Sequence, residues 1–291
     1  MPRSVHSSEI SPVITLAQAL KRAATQLHMH DQPALDAEVL LAHVLNRSRA
    51  YLHAWPEAEL GPEHKSEFFD LIRLRAEGQP VAYLTGRREF WSLDLEVSAD
   101  ALIPRPETEL LVERTLAVLP DNEPLRIADL GTGSGAIAIA LAHERRAWQV
   151  YAIDRSQACI KLAQRNARRL GADNLCCIRA DWSEALAEQS FHAIVANPPY
   201  IADEDPHLRR GDVRFEPVSA LTSGPDGLDD LARLVADAPR VLKPAGWLLL
   251  EHAMDQAPAI RRLLNNISFK DISTARDLAG LERVSCARKP A

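Results

Sequence analysis

Several features that define special classes of protein are scarce or missing in this chain of 291 residues. Its four cysteines (Cys159, Cys176, Cys177 and Cys286) form no C-x-x-C pair, and no nearby histidine completes a zinc-ligand spacing. Neither a disulfide framework nor a structural metal is therefore indicated. Reduced thiols are typical of the cytosol. We expect a cytoplasmic protein that holds no metal.

Long apolar runs and an excess of basic residues are also missing. The N-terminus lacks the apolar core of roughly 7–15 residues that marks a secretory signal, and no run approaches the roughly 20 residues that span a bilayer. The formal net charge is −6, from 34 basic and 40 acidic residues, whereas tight binding to DNA requires neutralisation of its phosphates. We expect no membrane association and no stable nucleic-acid binding. No feature demands an oligomer, so a monomer is assumed.

What the chain does contain is enough apolar material, 46% of its residues, for a sizeable core. Its length favours two domains. Helical spacing of apolar residues predicts helices over residues 15–29, 33–45 and 62–78. We therefore predict a small N-terminal helical bundle over residues 1–85. A change to alternating apolar residues predicts a β-hairpin linker over residues 86–104.

From residue 105 to residue 291, strand-like and helix-like segments alternate. The predicted strands and helices are 125–130, 135–144, 148–154, 156–171, 174–181, 191–197, 228–242 and 246–252. Alternating strands and helices are typical of an α/β fold, with a doubly wound, mostly parallel sheet and helices on both faces. Ligands of such sheets bind beyond the carboxyl ends of the strands. Motifs at those ends are the first candidates for function.

The first such motif, "DLGTGSG", lies between a strand and a helix. Its candidate cofactor-binding residues are Asp129, Gly131, Thr132, Gly133, Ser134 and Gly135. The glycines let the backbone approach a ligand, and the helix N-terminus presents free N–H groups. The glycine spacing also admits a nicotinamide dinucleotide, because Ala136 can stand in for a third glycine. Asp129 favours a cationic or amine-bearing ligand, since its carboxylate would repel a pyrophosphate.

Acidic residues end the next two strands. Asp154 follows the glycine loop by about twenty residues, where a carboxylate accepts hydrogen bonds from a ribose diol. It could equally be a strand-end residue that caps the next helix. Asp181 and Trp182 end the third strand, and an acid beside an aromatic ring suits an adenine, which needs an acceptor and a stacking partner. These residues extend the predicted cofactor site.

A fourth strand ends in "NPPY", Asn197 to Tyr200. Two consecutive prolines remove two backbone donors and stiffen the chain, and Pro198 also disfavours a helical conformation at Asn197. A rigid loop that offers one carboxamide, donor-free carbonyls and an aromatic ring after a buried strand indicates a binding site. The alternative is a turn with no role beyond ending the strand.

Together these motifs resemble the class I methyltransferases that depend on S-adenosylmethionine, and within them the PrmC/HemK family, the glutamine N5-methyltransferases of peptide chain release factors. The segments "YLTGRREFW", "LIPRPETELLVE", "DVRFEPVSAL", "GPDGLDDL", "WLLLEH" and "DLAGLERV" agree with that family. The resemblance implies a seven-stranded sheet. It also implies S-adenosylmethionine as cofactor, S-adenosylhomocysteine as product, and methylation of the glutamine in the Gly-Gly-Gln motif of release factors, which modulates translation termination. The helical bundle would recognise the release factor.

The resemblance also implies that the NPPY loop holds the substrate's amide. The two N–H groups of that amide would donate to the Asn197 side-chain oxygen and to the Pro198 carbonyl, while Tyr200 packs over the amide plane. Asn197, Pro198 and Tyr200 are thus the predicted catalytic residues. Pro199 joins them in binding substrate, and Asn197 also borders the cofactor. The segment 103–109 would help to cover the cofactor, without a catalytic role for its charged residues.

Other functions fit parts of the pattern. The NPPY motif is shared with enzymes that methylate an exocyclic amino group of a base, such as adenine N6, after flipping the base out. The acidic net charge and the lack of a recognisable DNA-reading domain disfavour this alternative. A non-catalytic adapter with the same fold is disfavoured because Asn197 is intact. A nicotinamide dehydrogenase is disfavoured because no proton-relay residue accompanies the glycine loop.

Overall fold

A computed structural model describes residues 13–291. The chain divides into two compact units, Met1–Thr85 and Gly86–Ala291. Residues 1–12, which belong to the predicted N-terminal bundle, lie outside the described residues. No helix in the described part of the chain is both long enough and apolar enough to cross a membrane.

The first unit is helical. Its described elements are β1 (Ile14–Thr15), α1 (Leu16–Gln26), α2 (Pro33–Leu45), α3 (Arg49–Ala54), β2 (Glu59–Leu60), α4 (Pro62–Ala76) and α5 (Val81–Thr85). The three helices predicted from periodicity are confirmed as α1, α2 and α4. The two-residue strands β1 and β2 pair antiparallel. Neither this ladder nor the short helices α3 and α5 was predicted, because segments of two to six residues carry too little periodicity.

Local signals explain where these helices begin and end. Thr15 is the N-cap of α1, and it forms a capping box in which its hydroxyl accepts from the Gln18 N–H, while the Gln18 side chain accepts from the Thr15 N–H. Helices α2 and α4 both begin at a proline, whose missing N–H costs nothing in the first turn. Apolar stripes from these helices, with Phe68 and Ile72 fully buried, form one core.

The second unit contains the α/β layers. Its named elements are β3 (Arg87–Phe90), β4 (Leu93–Glu96), α6 (Glu109–Val118), β5 (Arg126–Leu130), α7 (Ala136–Glu144), β6 (Gln149–Asp154), α8 (Gln157–Leu170), β7 (Leu175–Arg179), β8 (Phe191–Ala196), α9 (Asp229–Val241), β9 (Leu242–Glu251), α10 (Ala257–Asn266), β10 (Lys270–Arg276) and β11 (Glu282–Arg288). Short 3-10 turns lie at 106–108 and between residues 206 and 220.

Strands β3 and β4 form an antiparallel hairpin in which Phe90 pairs with Leu93. Its two loop residues, Trp91 and Ser92, both have positive φ angles, 53° and 57°. A two-residue turn with positive φ at both positions matches the twist of the flanking strands.

Seven strands form the main sheet, in the order β10-β11-β9-β8-β5-β6-β7. Strands β7, β6, β5, β8 and β9 pair parallel, and β11 is antiparallel to both of its neighbours. This confirms the predicted doubly wound, mostly parallel seven-stranded sheet. From β5 the chain adds strands to one side and then to the other, so the strand order reverses between β5 and β8. Ligand sites of such sheets lie at this crevice.

Two parts of the sheet differ from the strands predicted from the sequence. Strand β9 begins at Leu242, before the predicted residue 246, because the chain continues in extended form through Pro244 with a shift of register against β8. Strands β10 and β11 escaped the reading of individual segments, and only the family resemblance implied them. Strand β10 lies at the sheet edge, where its polar, half-exposed residues hide any apolar alternation. Strand β11 is an inner strand with four consecutive buried residues, two of them Ser285 and Cys286, so it shows no alternation either.

Candidate active site

Strand pairing brings the predicted motifs to one edge of the sheet. Leu130 of β5 pairs with Ile153 of β6 and with Ala196 of β8. The residues that follow leave the sheet side by side at its carboxyl edge, namely Gly131 and Asn197, with Asp154 at the end of β6. A cleft opens there. It is lined by Asp100, Ala101, Leu102, Pro104, Arg105, Thr108, Gly131, Thr132, Gly133, Ser134, Ala136, Ile137, Asp154, Arg155, Ser156, Cys159, Asp181, Trp182, Asn197, Pro199, Ser219 and Ala220.

The glycine loop forms one wall of this cleft. Gly131 has a φ of +76°, and a Cβ at this position would lie 3.1 Å from the Trp182 ring. Gly135 has a φ of +87°, and its Cβ would lie 3.2 Å from the backbone of Ala163 on α8. A side chain is thus excluded at both positions by backbone conformation and by space. The first glycine keeps the cleft open, and the second lets α7 pack closely against α8.

Asp154 braces the loop from the neighbouring strand. Its Oδ2 accepts from the Gly133 N–H at 3.0 Å, and its Oδ1 accepts from the Ser156 N–H at 2.8 Å. The carboxylate therefore orders the loop and the start of α8 together. Each oxygen has further lone pairs, and Asp154 also lines the cleft. The capping role and the predicted ligand role are compatible in this geometry.

Asp129 lies behind the loop rather than in the cleft wall. Its side chain is fully buried, and its Oδ2 accepts from the Thr132 hydroxyl at 2.6 Å, while Oδ1 has no hydrogen-bond partner in the described chain. Burial raises the pKa of Asp129 to about 7, against the opposing effect of the Thr132 hydrogen bond. A buried acid whose pKa is raised by desolvation beside a cleft is typical of a functional site.

Asp181 and Trp182 form the far wall. The indole Nε1 of Trp182 donates to Asp230 at 3.2 Å, which fixes the ring against Gly131. Asp181 Oδ2 accepts from Arg233 at 2.8 Å, whereas its buried Oδ1 has no partner among the described residues. This wall therefore offers an aromatic ring and an acceptor oxygen to a ligand.

Asn197, the first residue of the NPPY loop, lines the cleft. Its Nδ2 donates to the Thr108 hydroxyl at 3.1 Å, and its buried Oδ1 has no hydrogen-bond partner in the described chain. Pro199 also lines the cleft. Pro198 and Tyr200 are not among the lining residues, and the Tyr200 hydroxyl donates to Glu251 at 3.4 Å. The expected packing of Tyr200 over a substrate amide stays a prediction.

The segment "IPRPETE" covers one side of the cleft and is held by a buried acid. Glu216 of the "RFEP" segment accepts from the Ile103 N–H at 3.0 Å and pairs with the Arg105 guanidinium. The Glu216 side chain is fully buried. Pro104, Arg105 and Thr108 line the cleft from this side. The two segments are tied together by a charge-assisted clamp.

Sequence reasoning assigned no role to four residues that support this site. Thr108 holds Asn197, Glu251 accepts from Tyr200, Glu216 holds the covering segment, and Gln256 donates to the Tyr200 carbonyl at 3.0 Å. Each lies in or beside a segment quoted for the family resemblance, apart from Gln256. For those three residues the family resemblance gave a signal in the sequence, but only the folded structure shows which side chains are in contact.

The described residues contain no group of three or more histidine, cysteine, aspartate or glutamate side chains that could hold a metal ion. The four cysteines are all free.

Comparison with known families and proteins gives consistent matches. Residues 18–86 match the PrmC N-terminal domain, and residues 106–211 match the methyltransferase small domain. The chain is 46% identical over 269 residues to the release factor glutamine methyltransferase of Escherichia coli (strain K12), covering 92% of this chain and 97% of that protein. It is 51% identical over 257 residues to the protein of the same name from Pseudomonas aeruginosa, covering 88% of this chain and 93% of that one.

Solved structures share the fold at low identity. A methyltransferase from Pyrococcus furiosus superposes with a TM-score of 0.52 at 18% identity, covering 68% of this chain and 90% of that one. This likeness extends to the sheet architecture and carries no information on the substrate.

Proposed function

The chain belongs to the family of release factor glutamine methyltransferases, and from that membership and the geometry of the cleft we propose its reaction. It transfers a methyl group from S-adenosylmethionine to the side-chain nitrogen, N5, of a glutamine in peptide chain release factors. The glutamine is that of the Gly-Gly-Gln motif, and its methylation modulates translation termination. The enzyme acts as a monomer in the cytoplasm, in keeping with its free cysteines.

The cleft residues fit the cofactor. Asp154 would accept from the ribose hydroxyls, and the unpaired Oδ1 of Asp181 would accept from the adenine amino group beside Trp182. The bare backbone at Gly131 leaves room for a ligand that a Cβ would crowd. Asp129, buried and half-satisfied, would balance the ammonium group through the loop. S-adenosylmethionine supplies a methyl group that is already activated by a sulfonium charge, and S-adenosylhomocysteine is the product.

The observation that carries the proposal is the buried, unpaired Oδ1 of Asn197 in the cleft wall. An unsatisfied buried acceptor costs roughly 1–3 kcal/mol, which a ligand with an N–H group would recover. Thr108 already holds the Nδ2 end of the same amide. Asn197 therefore presents an oxygen, and not a nitrogen, to whatever enters the cleft.

A glutamine amide matches this acceptor. One of its N–H groups would donate to Asn197 Oδ1 and the other to the Pro198 carbonyl. That carbonyl is rigid because its peptide bond joins two proline rings, Pro198 and Pro199. Two acceptors orient the nitrogen so that its face points at the methyl group, and they stabilise the positive charge that develops on it. Tyr200 would pack against the amide from within the same loop. No strong base is required before transfer.

A labelling experiment tests the proposal. The protein is incubated with methyl-labelled S-adenosylmethionine and, separately, a release factor, duplex DNA and RNA, and the label is located by mass spectrometry. We expect label on the glutamine of the Gly-Gly-Gln motif, and none on a release factor in which alanine replaces that glutamine. Label on a nucleic-acid base but not on the release factor would overturn the proposal, and no transfer to any of them would favour the non-catalytic adapter.

A further inference from the structure

A buried acid, Glu251, lies beside the NPPY loop and has no part in the reaction proposed above. Strand β9 ends at Glu251, and its Leu250 pairs with Ala196 of β8. Asn197 and Glu251 are therefore the next residues on two paired parallel strands, and they leave the sheet side by side. Glu251 is 2% exposed. The sheet thus fixes an acidic side chain next to the proposed substrate-binding residue.

The carboxyl group of Glu251 is only partly satisfied. Its Oε1 accepts from the Tyr200 hydroxyl at 3.4 Å, and its Oε2 has no hydrogen-bond partner within residues 13–291. Burying a carboxylate without full hydrogen bonding is costly, and a hydrophobic side chain at this position would avoid the cost. A buried acid with an unpaired oxygen is therefore a candidate for a functional role.

Thr108 is hydrogen-bonded to Asn197 and is a neighbour of this acid. The Thr108 hydroxyl accepts from Asn197 Nδ2 at 3.1 Å, and it is a neighbour of Glu251 that lowers the pKa of that carboxyl, while Glu251 Oε2 is still without a hydrogen-bond partner in the described chain. Thr108 is 4% exposed, so water does not compete freely for its hydroxyl. A Thr108 hydroxyl that turns its proton to the unpaired Oε2 of Glu251 would complete a chain from the sheet end to the cleft.

The donor and acceptor roles along these hydrogen bonds depend on the single proton of the Thr108 hydroxyl. A hydroxyl has one proton to donate. If that proton points to a charged Glu251, which can only accept, the Thr108 oxygen is left to accept from Asn197. The Asn197 amide must then turn its Nδ2 to Thr108, which leaves Oδ1 in the cleft. A carbonyl oxygen in the cleft is what a substrate N–H requires.

We propose that Glu251 is a positioning residue, which acts through Thr108 to hold the Asn197 amide with its oxygen toward the substrate and through Tyr200 to hold the NPPY loop. This inference rests on the proposed function for its substrate. Glu251 does not touch the substrate in this arrangement. It determines whether the oxygen or the nitrogen of the Asn197 amide faces the substrate.

The charge on Glu251 is balanced by groups on three segments. Burial raises the pKa of Glu251 to about 7, while Thr108, Arg283 on β11 and the Tyr200 hydroxyl lower it and Glu107 raises it further. The acid therefore loses its charge on the acidic side of neutrality. A protonated Glu251 can donate to Thr108, which frees the Thr108 proton to point at Asn197 and removes the preference for Oδ1 in the cleft.

The first test measures methylation of the release factor at saturating cofactor. We expect Glu251→Gln to lower kcat by about 10²-fold, the usual loss for one misplaced hydrogen-bonding group in an active site, with the Kd for S-adenosylmethionine within about threefold of the wild type. The wild-type kcat should fall below about pH 7, and this acid limb should be missing in E251Q. A merely structural role would not change the pH profile.

Variants of Thr108 test the connection. Thr108→Val keeps the shape but lacks the hydroxyl, and it should lose as much kcat as E251Q, while Thr108→Ser should recover most of that loss. The double variant E251Q/T108V should be no slower than either single variant, since both break one chain. T108V also keeps the test open if E251Q does not fold.

Glu144→Gln is the matched control. Glu144 also accepts from an aromatic side chain, the Trp91 indole, at 2.8 Å, but it is exposed and ends α7, whereas the cleft lies at the start of that helix. E144Q should retain wild-type kcat and the acid limb.

A second measurement needs no substrate. The side-chain amide signal of Asn197 is identified in a ¹⁵N-resolved NMR spectrum by its loss in N197A. It should titrate with a midpoint near pH 7 in the wild type and in E144Q, and it should not titrate over that range in E251Q.

The inference is overturned by an Asn197 signal that does not change with pH in the wild type, or that titrates in the same way in E251Q. It is also overturned if wild type and E251Q methylate the release factor at similar rates. Failure of the wild type to methylate a release factor would overturn the proposed function, and the NMR titration would still decide the positioning role.

Discussion

The two units of this chain bury different kinds of side chain. Among the described residues of the first unit, Arg75 is the single polar or charged residue that is buried. Its Nε donates to Asp36 at 2.7 Å, and its guanidinium also donates to the Gln79 carbonyl. The rest of this core is apolar and comes from the stripes of the helices. This unit satisfies the polar groups that it buries.

The second unit buries polar groups that it leaves unsatisfied. Every buried side-chain nitrogen or oxygen without a partner in residues 13–291 belongs to it. Four of these residues lie at the carboxyl ends of β5, β7, β8 and β9, namely Asp129, Asp181, Asn197 and Glu251. This difference indicates that the functional site lies in the second unit, at these strand ends. A protein tolerates the cost of unpaired buried atoms where a ligand completes them.

The largest effect that would sharpen this comparison is on catalysis. Asn197→Ala removes the unpaired acceptor, and we expect kcat for the release factor to fall by about 10³-fold, the upper range for one transition-state hydrogen-bonding group. The Kd for S-adenosylmethionine, measured by calorimetry, should change by less than about threefold. A parallel loss of cofactor affinity would mean that Asn197 serves chiefly the cofactor.

The second effect is on stability as a function of pH. The pKa of Asp129 is about 7 in the folded protein and 3.8 in a model compound, so the folded state keeps a proton that the unfolded state releases. Stability from this group is complete below about pH 4 and is lost as the pH rises to about 7. Without cofactor, Asp129→Asn should therefore be more stable than the wild type at pH 8, by up to about 4 kcal/mol.

Urea titrations of Asp129→Asn and of the wild type at pH 4 and pH 8 measure this difference, which should nearly vanish at the lower pH. A constant difference between the two pH values would show that Asp129 titrates normally, and it would weaken the contrast between the two units.

The third effect is confined to the first unit. Asp36→Ala removes the carboxylate partner of a buried guanidinium and should lower the free energy of unfolding by about 3 kcal/mol. The control is Asp70→Ala. Asp70 and Arg73 are 3.7 Å apart and are 66% and 61% exposed, so their pair contributes less than about 1 kcal/mol. Equal effects of the two variants in urea unfolding would contradict the view that this unit depends on satisfied burial.

The smallest effect concerns a group that is already satisfied. Asp154→Ala removes the acceptor for two backbone N–H groups and for the proposed ribose, and we expect the Kd for S-adenosylmethionine to rise about tenfold, which is about 1.4 kcal/mol. Asp271→Ala, at an exposed acid on β10 that is 3.9 Å from Arg288, is the control. An unchanged Kd in D154A would leave Asp154 with its capping role alone.

Pattern and composition predicted much of this molecule. Apolar periodicity located α1, α2 and α4, and alternation of strands and helices predicted the parallel part of the sheet. The strand-end rule selected Asp154, Asp181 and Asn197, and the cleft does bring them together. Periodicity failed where it was too short, as in α3 and α5, or where the strand lies at a polar edge, as in β10.

The residues that pattern alone could not select are those whose importance arises from contact. Thr108 and Asn197 are 89 positions apart and share a hydrogen bond, as do Glu216 and Ile103 over 113 positions. Nothing in the local sequence distinguishes Glu251 from other acids that end strands. Its significance comes from being buried beside Asn197 with one oxygen unpaired.

The sequence by itself determined the α/β architecture, the edge of the sheet at which the candidate site lies, and the family, because apolar spacing and short motifs are local properties of a chain. Only the tertiary structure decided which atom of the Asn197 amide is bonded to Thr108 and which is left unpaired, and which acids are buried away from water. Those properties depend on desolvation and on hydrogen bonds between distant segments, and they come into being only when the strands are paired.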